Sequence, residues 1–72
     1  MTKEETNIER ERIGRQVADI RKEQGLTQQQ LADIVGMQRN HISRIESGKF
    51  SVGLDTLAAI AKALGRHLNL TT

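Results

Sequence analysis

The stretch "GMQRNHISRIESGK", residues 36–49, holds the densest cluster of hydrogen-bonding side chains in the chain. Turned through about 100° per residue, it places Ile42 and Ile45 on one side of a helix. Asn40, Ser43, Arg44 and Ser47 then point the other way, and Arg39 projects from the N-terminal end. This side-chain set matches base edges in a DNA major groove: arginine can donate twice to guanine, and asparagine can pair in two-pronged fashion with adenine. The plainer reading is an ordinary solvated helix face. Between Gly36 and Gly53 the chain carries Arg39, Arg44 and Lys49 against Glu46 alone, so the segment is locally basic although the net charge is only +2.

Positioning these side chains requires helices, and apolar residues at helical spacing mark four of them. The first carries Ile13, Val17 and Ile20 on one stripe. Thr2 with Glu5 and Thr6 with Glu9 both fit the Ser/Thr-x-x-Glu capping box. The second start is favoured, with the preceding residues frayed. Gly25 stops this helix. Thr27 caps the next, answered by Gln30, and Leu26 with Leu31 has the spacing of a hydrophobic staple. That helix spans Gln28 to Val35 and ends at Gly36. A third runs from about Arg39 to Ser47, terminated by Gly48. After a loop, a fourth carries Leu54, Leu57, Ile60, Ala61 and Leu64 and closes at Gly65. Two short helices joined by a tight glycine turn form a helix-turn-helix when the second leaves a polar face free. The Gly36 turn and the capped helix before it weigh against the plainer reading of the third helix.

A chain of 72 residues has room for one small core. The expected fold class is therefore all-α, a compact helical bundle. The expected organisation is a single domain over 1–72, with core 9–65, helix-turn-helix 28–47 and tail 66–72. With 36% hydrophobic and 28% charged residues, the composition is that of a globular protein. There is no cysteine, so neither a disulfide framework nor a thiolate metal site is expected. His41 and His67 stand apart and make no metal site. No Ser/His/Asp set, paired carboxylates or phosphate-binding glycine loop is present, so no enzyme, cofactor or small-molecule ligand is expected. No apolar run reaches membrane-spanning length and no signal-peptide pattern is found, which leads to the expectation of a cytoplasmic protein.

The stretches "IGRQVADIRKEQGLTQQQLADIVGMQRNHISRIESGK" and "LDTLAAIAKALG" resemble the lambda-repressor/Cro-type helix-turn-helix regulators, the XRE family. The likeness extends from about Ile13 to Gly65. It implies a dimeric helical bundle whose third helix enters the major groove of double-stranded DNA. By the same resemblance Arg39, Asn40, Ser43 and Arg44 face bases. Gln28, Ser47 and Lys49, with backbone amides near the lysine, hold phosphates. Three positions depart from the pattern. Gln38 stands where a Ser or Thr cap is common, which leaves it free to touch DNA itself. Val52 replaces a common loop proline, and "RHLNLTT" takes the place of a fifth helix.

Glu46 lies in the last turn of the third helix, where the helix dipole disfavours an anion, and beside the Ile42/Ile45 side. Buried there, it needs a partner. Arg21, just past Ile20 on the first helix, is the natural one, and the resemblance implies the same ion pair. Phe50 reads as a lid on the core, with a backbone or partner contact as the alternative. His41 reads as a packing or phosphate-proximal residue. In the tail, Leu68 and Leu70 alternate with polar residues, which is strand periodicity. A lone strand has nowhere in its own chain to satisfy its backbone, so it is expected to pair with its copy across a two-fold axis, with Leu68 and Leu70 packing near Leu57 and Ile60. The competing readings are a frayed tail or a chain cut short of a longer one. The function expected is a sequence-specific, dimeric transcriptional repressor. The alternative is an antitoxin that binds both its operator and a toxin protein.

Overall fold

The computed structural model describes residues 2–68. Four helices follow one another: α1 (Lys3–Glu23), α2 (Gln28–Val35), α3 (Arg39–Glu46) and α4 (Leu54–Ala63). α3 packs against both α1 and α2, and α4 packs against α2. Val17, Leu31, Ala32, Ile42, Ile45, Ile60 and Leu64 form the buried core, and Leu26, Met37, Phe50, Val52 and Leu57 pack around it. Gln24 ties the C-terminal ends of α1 and α4 together, its amide donating to the Leu64 carbonyl at 2.6 Å.

α1 begins at Lys3, a turn earlier than the favoured sequence reading. The Thr2 hydroxyl accepts from the Glu5 amide and Glu5 Oε1 from the Thr2 amide, both at 3.1 Å. The residues of the second box lie inside the helix. Thr6 donates to the Thr2 carbonyl, and Glu9 pairs with Arg12 at 2.6 Å. Two causes favour the longer helix. Each added residue extends a ladder that is already nucleated, and Glu4 and Glu5 suit the positive end of the dipole. Thr6, Arg10 and Ile13 also line a shallow hollow with Phe50 and Val52, so the first turns of α1 have tertiary neighbours.

The boundaries of α2 are those expected from its capping residues. Thr27 and Gln30 form a complete capping box, with bonds of 2.8 and 3.0 Å. Gly36 ends α2 in the left-handed conformation at φ 82°, where a side chain would be strained. Gln38 makes no side-chain cap bond to α3.

Burial departs from the apolar periodicity on two helices. The buried stripe of α1 is Gly14, Val17 and Arg21, one residue round from the Ile13–Ile20 line. Leu54, counted with the apolar face of the fourth helix, is 72% exposed. It stands at the rim of an apolar groove of about 940 Å³ between α1 and α4, lined by Val17, Leu57, Ile60 and Leu64. Residues 66–68 are neither helix nor strand. Leu68 is 43% exposed and lines the same groove as Leu57 and Ile60. Leu70 and the rest of the expected strand lie outside the described residues.

Candidate nucleic-acid interface

α3 has two chemically distinct sides. Ile42 and Ile45 are fully buried, because α1 and α2 close over them. Gln38, Arg39, Asn40, Arg44 and Ser47 are exposed and Ser43 is half-buried, so the helix offers one continuous polar face. The short α2 and the left-handed Gly36 set the angle at which α3 is presented.

Beneath this face lies an ionic cluster. Arg21 Nε donates to Glu46 Oε2 at 2.7 Å and its Nη2 to Oε1 at 3.0 Å, a two-pronged pair. Both side chains are more than nine-tenths buried. The Glu46 hydrogen bonds raise the Arg21 pKa further above its ordinary value, assisted by the charge of Glu46 and opposed by burial. The third bond from the guanidinium goes from Nη1 to the Leu26 carbonyl at 2.8 Å, in the turn between α1 and α2. A pair this deep is sustained only when its remaining lone pairs and protons are also satisfied. Each buried side-chain nitrogen and oxygen among the described residues has at least one partner.

Gln28 belongs to this cluster. Its amide Nε2 donates to Glu46 Oε1 at 3.0 Å. One of the two donors of the amide is thereby committed within the fold, and the side chain is half-buried at the start of α2. Sequence reasoning assigned Gln28 an external role only. The bond to Glu46 spans 18 positions, and no local pattern announces it.

After α3 the backbone turns through Gly48 at φ 76°. The Gly48 and Lys49 amides donate to the Ile45 and Arg44 carbonyls at 3.1 and 3.0 Å, so both are committed within the fold. The Ser47 hydroxyl donates to the Arg44 carbonyl at 3.0 Å. The Lys49 side chain is exposed.

Phe50 does pack on the core, and it does more than cover it. Its ring stacks on His41 with centroids 5.9 Å apart and an angle of 7°. The Arg44 guanidinium lies over the same ring, 5.4 Å from its centroid. The signal in the sequence was a single aromatic following a helix with a histidine and an arginine one turn apart. Leu68 is not near this surface, because the groove it lines contains no α3 residue.

A capped helix, a glycine turn and a second helix with one buried and one polar side define a helix-turn-helix protein. The chain belongs to the helix-turn-helix family, whose model matches residues 17–70. It is similar to the immunity repressor protein of Bacillus phage phi105, with 42% identity over 53 residues, 74% of this chain and 37% of the repressor. It is also similar to an uncharacterised HTH-type transcriptional regulator of Methanothermobacter thermautotrophicus, with 46% identity over 51 residues, 71% of this chain and 74% of the regulator. Antitoxin PezA of Streptococcus pneumoniae shares 40% identity over 50 residues, 69% of this chain and 32% of the antitoxin. The crystal structure of the clp gene regulator ClgR from C. glutamicum matches with a TM-score of 0.80 at 29% identity, covering 82% of this chain and 76% of that one.

Proposed function

We propose that this protein is a sequence-specific double-stranded DNA-binding transcriptional repressor that acts as a homodimer. The observation that carries the reading is the division of α3, with Ile42 and Ile45 buried while Arg39, Asn40 and Arg44 stand in solvent. A helix anchored on one side and carrying planar donors on the other suits a major groove. Gln38, Arg39, Asn40, Ser43 and Arg44 read bases. Lys49 and the second donor of Gln28 contact phosphates, and Ser47 joins them by turning its hydroxyl from the Arg44 carbonyl to a phosphate oxygen. Two copies of α3 enter successive major grooves roughly 34–36 Å apart and occlude a pseudo-palindromic operator. The phage relative, itself named a repressor, supports this sign of regulation.

The dimer is assigned to the α1/α4 side, where exposed Leu54 and Leu68 border the apolar groove; Leu70 is assigned to the same contact. Truncation after Arg66, followed by sedimentation, tests the tail. Undiminished self-association would remove Leu68 and Leu70 from the interface and leave it to α4.

Selection of binding sites from random duplex DNA tests the whole reading, because it reports binding, symmetry and spacing together. The expected product is an inverted repeat with half-site centres about 10–10.5 base pairs apart. Failure to enrich any sequence at low salt would overturn it. The second reading, an antitoxin that also binds a toxin, is favoured by the likeness to PezA. Co-expression with the product of a neighbouring gene distinguishes it, since a toxin partner would co-purify.

A further inference from the structure

We propose that Phe50 is a positioning residue for base reading: its ring holds the Arg44 guanidinium in place before DNA arrives. The inference rests on Arg44 reading a base, as assigned above.

Phe50 is the only aromatic residue in the chain. It is anchored from below by the core and stacked on His41 of α3. Arg44 follows His41 by one turn, and its guanidinium carbon sits 5.4 Å from the ring centroid. No carboxylate or carbonyl accepts from this guanidinium among the described residues, so the ring is its principal neighbour.

Two uses of one group are separable. An arginine that rests on an aromatic ring through its face keeps the N–H donors along its edge, which are the ones that recognise guanine. The same arginine can therefore rest on the ring and read a base at once. A free arginine carries substantial rotamer entropy, which has to be given up on binding. Confinement by the ring spends part of that entropy during folding, so less is lost when the base is met. Among the described residues no aromatic ring lies under Arg39, which is exposed at the start of α3.

The test is a double-mutant cycle in the full chain, using a duplex recovered from the random-sequence selection. Phe50→Leu keeps an apolar side chain on the core and removes the ring. It is expected to weaken specific binding roughly two- to tenfold per half-site, the range for ordering one rotamer-rich side chain on binding. In an Arg44→Ala background the same change should have little effect, and Phe50→Tyr should bind like the parent. An equal penalty in both backgrounds would mean that Phe50 acts through the loop rather than through Arg44, which overturns the proposal. If Arg44→Ala itself leaves affinity and base preference untouched, the base-reading role fails first, and the positioning role with it. A measurement on the unmodified protein does not depend on any variant folding. The Arg44 Nε–H order parameter in the DNA-free state should exceed that of Arg39, and equal values would also overturn the proposal.

Discussion

Gly14 of α1 rests against the backbone carbonyls of Ile45 and Glu46 at the end of α3. A Cβ at this glycine would lie 2.8 Å from the Glu46 carbonyl oxygen and nearer still to that of Ile45. Neither obstacle is a flexible side-chain tip, so the helices would have to separate. Gly14→Ala should therefore destabilise the fold by about 1–3 kcal/mol, even though alanine favours a helix by up to about 1 kcal/mol over glycine. Chemical denaturation provides the check. A gain in stability would show that α1 and α3 can part without penalty.

The same close approach brings Arg21 within reach of Glu46. Glu46→Ala leaves a buried guanidinium without its anion and should cost about 3–5 kcal/mol. Arg21→Met combined with Glu46→Leu should be tolerated better than either single change. The double variant still strands the Leu26 carbonyl, which accepts from Arg21, so it should remain less stable than the parent. Additive melting data would show that the pair is uncoupled.

Arg39 and Asn40 project from the exposed start of α3. Replacing either with alanine should weaken specific binding by roughly 1–3 kcal/mol and relax the preference at one position per half-site. Binding-site selection repeated with each variant reads both quantities. Parental affinity with parental selectivity would remove that residue from the base-reading set.

Lys49→Ala and Gln28→Ala should each weaken binding to all sequences about equally, since phosphate contacts position without specifying. Only the lysine variant should also flatten the salt dependence, by about 1 unit of slope, because only a cation displaces a condensed counterion. The glutamine variant carries a second signature. It removes a hydrogen bond to the buried Glu46 carboxylate, so its melting temperature should fall while that of Lys49→Ala holds. A Gln28→Ala protein with parental stability would mean that this bond is worth nothing in solution.

The start of α1 should respond to acid. The hydrogen bond from the Thr2 backbone amide, assisted by the adjacent Thr2 hydroxyl, holds the Glu5 carboxyl below its ordinary value. A depressed acid contributes stability above its unfolded pKa and loses it as pH falls through the folded one. Protection of the first-turn amides, measured relative to the intrinsic exchange rate at each pH, should therefore fall on acidification below about pH 4. Glu5→Gln keeps an acceptor without the titration, so its exchange in that turn should lack this component.

The folding signals visible in the sequence were those that act over a few residues. Thr27 and Gln30 are three positions apart, and Gly36 needs only its own backbone angle; both boundaries of α2 were legible for that reason. The polar and apolar sides of α3 were legible because helical periodicity is local too. Where two local solutions competed, as with Thr2/Glu5 and Thr6/Glu9, the spacing of the capping box could not choose between them. The choice fell to the dipole and to neighbours such as Phe50 and Val52, brought alongside α1 by the fold.

Other features depend on chain segments that meet only after folding. Gly14 looks like any helical glycine until α3 arrives beside it. Gln28 looks like a surface glutamine until Glu46, 18 positions on, offers it an acceptor. Leu54 fits the apolar stripe of its helix, yet α1 and α4 leave a groove there and it stays in solvent. The sequence by itself determined the order of the helices, the turn between α2 and α3, and the side of α3 that faces outward, because backbone propensity and side-chain period act within a few residues. The tertiary structure alone decided which of those side chains are held still, and by what. Glu46 fixes Gln28, and Phe50 supports Arg44, through contacts whose distances depend on how the helices pack.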